Sequence, residues 1–107
     1  MTLLDAREHG FEAKFSHDEE MAFRVVARRN KLLGHWAAQQ MSLTPAEDEA
    51  YARSVVQAEF EEMGDEDVVR KLLGDMLAAG VDASETIVRA EVERCAIEAR
   101  RQLLDVV

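Results

Sequence analysis

The stretch SHDEEMAFRVVARRNKLLGHWAAQQM, Ser16 to Met41, decides how the rest of the chain reads. It opens on a helix-start pattern. Ser16 stands three residues before Glu19, so a hydroxyl and a carboxylate can each satisfy a free backbone N–H. Asp18, Glu19 and Glu20 place negative charge where the helix dipole favours it. Ala22, Val25, Val26, Arg29, Leu32, Leu33, Trp36, Ala37 and Gln40 then recur at spacings of three and four, one face of a helix. No acidic residue lies between Met21 and Ser42, whereas Arg24, Arg28, Arg29 and Lys31 all do. The stretch predicts a long core helix over 16–41 with a basic outer side.

Downstream, three shorter helices are predicted. Thr44, Pro45 and Glu47 form a second capping box with proline at the first helical position. The helix over 45–63 carries Tyr51, Ala52, Val55, Val56, Phe60 and Met63 on one face, and Gly64 suits the left-handed turn that ends it. Asp65 is expected to cap a third helix over 66–79, with Val69, Leu72, Leu73, Met76 and Leu77 buried and Gly80 as its stop. Ser84 opens a fourth over 84–105, with Val88, Val92, Cys95, Ala99, Leu103 and Val106 facing inward. Links this short make neighbouring helices antiparallel. The expected fold is all-α: a four-helix bundle over 16–107, preceded by a flexible N-terminal arm over 1–15.

The arm reads MTLLDAREHGFEAKF. Leu4, Phe11 and Phe15 would share a helical face, but Gly10 interrupts it at a cost of about 1 kcal/mol relative to alanine. Isolated helices this short are marginal in water, so the arm is read as mobile with latent helicity, ordered against a partner. Two phenylalanines and two leucines set it apart from a merely solvating tail.

Composition narrows the function. The chain has 107 residues, the size of one domain, and a net charge of −9. The charge is uneven: −4 over residues 1–20, +4 over 21–42 and −9 over 43–107. An acidic chain lacks the positive footprint that nucleic-acid binding requires. No apolar run is long enough for a membrane span, and no signal-peptide pattern opens the chain. Cys95 is the only cysteine, which excludes an intrachain disulfide and suits a reducing cytoplasm.

Chemistry-bearing motifs are scarce. There is no glycine-rich phosphate loop, and no serine–histidine–aspartate set beyond chance. His9, His17, His35 and Cys95 match no zinc spacing, so no metal site is expected. Asp65-Glu66-Asp67 lacks the alternating acids and central glycine of a calcium loop. Arg24, Arg28, Lys31 and His35 could hold an anion such as a nucleotide phosphate; a solvated face paired with acids from the later helices is the favoured reading. Arg29 and Glu59 stand inside apolar stripes. They are expected to approach each other across the contact of the first two helices, the alternative being that both reach water at the rim.

Three blocks carry a resemblance: GFEAKFSHDEE (Gly10–Glu20), ARRNKLLGHWAA (Ala27–Ala38) and EEMGDEDVVRKL (Glu61–Leu72). Their order and spacing resemble the zeta subunit of the alphaproteobacterial F-type ATP synthase, through essentially the whole chain. The resemblance implies a four-helix inhibitor of ATP hydrolysis, not an enzyme, peripheral on the synthase at the inner membrane. Its partners would be the alpha, beta and gamma subunits of the head, with the N-terminal segment entering their catalytic interface to block rotation. Leu3, Leu4, Phe11 and Phe15 are then the available anchors, and Arg7 and Lys14 could pair with acids of the head. Phe11 to Phe15 match the family best, whereas Leu3 to Ala6 lie where members vary. It also implies weak adenine-nucleotide binding in some members and no required cofactor. A monomer is expected when free. Two other classes compete: a nucleotide sensor using the basic side of the first long helix, and a structural adaptor that inhibits nothing.

Overall fold

The computed structural model describes the backbone of residues 3–62 and 64–104 and the side chains of residues 19–59 and 64–104. Four helices follow one another: α1 (Leu3–Gln40), α2 (Pro45–Glu62), α3 (Asp65–Ala78) and α4 (Glu85–Leu104). No strand occurs among the described residues, and no helix is long and apolar enough to cross a membrane.

The first helix departs from expectation. It does not begin at Ser16 but runs for 38 residues from Leu3. No proline falls between Leu3 and Gln40, and one glycine at position 10 is too small a penalty to stop the ladder. The pattern at Ser16 to Glu19 therefore lies inside a helix rather than at its start. The side chains of Leu3, Leu4, Arg7, Phe11, Lys14 and Phe15 lie outside the described residues, as does the expected mobility of the arm. A 38-residue helix is about 57 Å long. The molecule is accordingly 64 Å long but only 29 by 26 Å across, and its radius of gyration of 17.5 Å exceeds the roughly 13 Å of a compact domain this size.

The later helices begin as the sequence predicts, with one exception. Thr44 and Glu47 exchange reciprocal capping bonds: Thr44 N donates to Glu47 Oε1 at 2.9 Å, and Glu47 N donates to Thr44 Oγ1 at 3.3 Å. Ser84 Oγ accepts from Ile87 N at 3.2 Å and caps α4. The exception is α3. Its N-cap is Gly64, which has φ 135 and no side-chain bond, while Asp65 becomes the first helical residue. That backbone region is essentially open to glycine alone. The Asp65 carboxylate accepts instead from Arg29 of α1.

The core is shared by all four helices. Leu33 and Ala37 of α1 meet Val55 of α2, Val68, Val69, Leu72 and Met76 of α3, and Val88 and Cys95 of α4. Helix α1 is the hub: α2 and α4 both pack on it without touching each other, and α3 packs against all three. Two expectations fail on α3: Val68 is buried at 1% exposure and Leu77 is 52% exposed. The helix is rotated so that Val68, Leu72 and Met76 share one line, four residues apart.

Gly34 marks where α1 and α2 come closest. A Cβ there would lie 2.7 Å from Ala52 Cα, a backbone atom that cannot swing aside. Gly34→Ala should gain about 1 kcal/mol of helix propensity yet lose about 1–3 kcal/mol to overpacking, a net destabilisation. Chemical denaturation checks this; a stabilised variant would mean that the two helices can separate freely.

Candidate interaction surfaces

Three sets of polar side chains gather on α1 or against it, each beside a different neighbour. The first is the buried Arg29, which is 7% exposed. Its Nη2 donates to Asp65 Oδ1 at 2.9 Å and stands 3.8 Å from Glu59 Oε2. Its Nε donates to Oδ1 of fully buried Asn30 at 3.1 Å. The expected approach of Arg29 and Glu59 is therefore real, but Asp65 is the nearer partner. Sequence periodicity placed Arg29 and Glu59 in their stripes and missed Asp65, because a residue read as a helix cap gave no sign of reaching another helix.

The second set is the basic side. Arg24, Arg28 and Lys31 line one groove of about 370 Å³ together with Ala27, Val56 and Leu103. Two of its cations are already engaged. Arg24 pairs with Glu20 at 2.7 Å, one turn away on the surface. Arg28 Nη1 donates to Gln102 Oε1 at 2.8 Å and ties α1 to α4. His35 does not join this group. Its Nδ1 is turned to Asp48 near the start of α2, where both side chains are half-buried.

The third set surrounds Cys95 on α4, beside His35, Trp36 and Glu98. The thiol is fully buried, and burial pushes its pKa up to about 11. A thiol above its ordinary range is a poor nucleophile. Its sign also fixes a pH dependence. Above about 9 the unfolded chain ionises at Cys95 before the folded chain does, so this contribution to stability fades between about 9 and 11. Iodoacetamide should therefore modify the native chain at least about tenfold more slowly than the unfolded chain. Equal rates would show that Cys95 is accessible. Among the described residues, no three histidine, cysteine or carboxylate side chains gather closely enough to hold a metal ion.

Other links stay within the scaffold. Tyr51 Oη donates to Asp75 Oδ2 at 2.8 Å and joins α2 to α3, with Lys71 Nζ on the same carboxylate at 3.1 Å. Arg89 grips both oxygens of Glu66 at 3.0 and 2.7 Å and joins α4 to α3.

One long helix wrapped at its C-terminal half by three shorter ones defines a class: a small helical protein with a protruding first helix. The pattern of the family described as ATPase inhibitor subunit zeta matches residues 1–102, and the chain belongs to that family. A protein of known solution NMR structure is 45% identical, aligned over 81% of this chain and 99% of its own, with a TM-score of 0.70. No curated protein matches. The family membership associates the chain with an ATP synthase and with inhibition of its ATPase.

Proposed function

We propose that the chain is a regulatory, non-catalytic subunit that inhibits ATP hydrolysis by inserting its N-terminal segment at an interface of the alpha, beta and gamma subunits. It would act at the cytoplasmic side of the inner membrane, bound peripherally to the head and monomeric when free. The observation that supports this most is the helix itself. The family pattern begins at residue 1, and the backbone is helical from Leu3 into the packed body. A segment with Leu3, Leu4, Phe11 and Phe15 on a helix continuous with a rigid body would enter a crevice with little further ordering. Arg7 and Lys14 would pair with acidic groups lining that crevice. The deciding measurement is ATP hydrolysis by the cognate head with the intact chain and with a chain lacking residues 1–15. Inhibition by the first alone supports the reading; no inhibition by either leaves a structural adaptor.

A second reading rests on the convergence of Arg24, Arg28 and Lys31 on one groove. That groove would hold a nucleotide phosphate weakly, competing with Glu20 and Gln102 for the two arginines. Titrating ATP should then change Trp36 fluorescence saturably, and Arg28→Glu should remove the change. A flat response at millimolar ATP discards this reading.

A further inference from the structure

Because α2 and α4 lie on α1 without meeting, a valley is left between them on each side of α1. One valley is filled by α3, which is held there by Arg29 of α1 and Tyr51 of α2. The other lies on the far side. At 3.6 residues per turn, Lys31 stands about 160° round α1 from Arg29, and Val56 about 140° round α2 from Tyr51. Two grooves, of about 370 and 520 Å³, meet at these two residues. The first reaches across α1, with Ala27, Val56 and Leu103 contributed by three different helices. The second continues along α2 past Ala52 and Arg53.

Charge and shape select the occupant. Four cations, Arg24, Arg28, Lys31 and Arg53, line the two grooves against one acid, Glu49, in a chain whose net charge is −9. Arg24 is balanced by Glu20. Arg28 is held by neutral Gln102, and Lys31 and Arg53 are exposed with no ion pair among the described residues. A basic partner would be repelled here. A phosphate would meet the cations but gain nothing from the apolar floor of Ala27, Val56 and Leu103. The filled valley shows what suits such a space: α3 lays one apolar line, Val68, Leu72 and Met76, against its neighbours. We propose that the open valley seats an acidic amphipathic helix of a partner protein, its apolar line on Ala27, Val56 and Leu103 and its carboxylates on Arg28, Lys31 and Arg53. A helix laid in an apolar groove with a charged rim is a recurring mode of recognition. The site is on the body and does not depend on what the arm does; it shares cations with the nucleotide reading and competes with it.

The test titrates the isotope-labelled full chain with a synthetic acidic helix of about 18 residues, five turns, built from glutamate, alanine and leucine with the leucines in one stripe. A control peptide has the same composition with its leucines scattered round the helix, and ATP is titrated in parallel. Saturable shifts of the Ala27, Lys31, Arg53 and Val56 amides are expected with the striped peptide. The control should bind at least about tenfold more weakly, because it cannot bury its leucines together. Arg53→Glu reverses an exposed charge outside the three cations of the nucleotide reading. It should weaken the striped peptide at least about tenfold, since like charges then face each other, and leave any response to ATP in place. Lys31→Glu, also exposed, stands in if Arg53→Glu does not fold. Equal binding of the two peptides overturns the proposal, because charge alone would then explain it. So do an absence of shifts at millimolar peptide, binding that survives both charge reversals, or ATP saturating these amides where the striped peptide does not.

Discussion

Arg29→Met is expected to lower the stability of the free chain by about 3–5 kcal/mol, the usual cost of breaking a buried ion pair from one side. The Arg29 side chain is 8% exposed and that of Glu59 20% exposed, so removing the cation leaves a largely buried carboxylate without its counter-charge. Asp65 is 59% exposed and would simply rehydrate. Asp65→Asn should therefore cost only about 1 kcal/mol or less, although it is the closer partner. Replacing Arg29 and Glu59 together, by Met and Leu, should recover part of the loss, since no charge is then left buried. Urea denaturation of the three variants orders the effects. If Asp65→Asn were the most damaging, the exposed contact rather than the buried one would hold α1 to its neighbours.

Deleting residues 1–15 is expected to abolish inhibition of ATP hydrolysis while the body keeps its melting temperature. The core residues of α1 are Leu33 and Ala37, more than two turns beyond the cut. Leu33, Leu72 and Met76 all stay in place. Burying each of Leu3, Leu4, Phe11 and Phe15 against the head would contribute roughly 1.5–3 kcal/mol. Phe11→Ala or Phe15→Ala alone should then weaken inhibition by about tenfold or more, since each 1.4 kcal/mol is a factor of ten. Far-UV circular dichroism of the deletion also shows how much of the arm is helical in free solution. A deletion that melts the body would place the arm within the core and sink the insertion mechanism.

The helices were legible because their signals are local. Thr44 with Glu47 and Ser84 needed only neighbours three residues away, and both caps are made as spacing predicts. The four-helix count and most of the buried stripes follow from the same periodicity. The misses share a cause. Ser16 with Glu19 has the same spelling as a cap, but a cap requires free N–H groups, and an uninterrupted helix upstream consumes them. Leu77 and Val68 differ from expectation because the apolar residues of α3 come in pairs, Val68-Val69, Leu72-Leu73 and Met76-Leu77, and either member of each pair can face inward until the other helices are present.

For the candidate sites, residue type alone grouped Arg24, Arg28, Lys31 and His35, and packing separated them. His35 sits two turns beyond Arg28 and meets the first turn of α2, where Asp48 waits. Asn30 attracted no notice in the sequence, because a polar residue on a helix flank reads as solvated.

What the sequence determined by itself was the number of helices, their order, the acidic balance and the family, all of which depend on residues near one another or on the composition as a whole. Only the tertiary structure decided which carboxylate holds Arg29 and why position 34 must be glycine. These depend on where α2 and α3 lie against α1. That placement is set by the summed packing of the core, and no single stretch of chain encodes it.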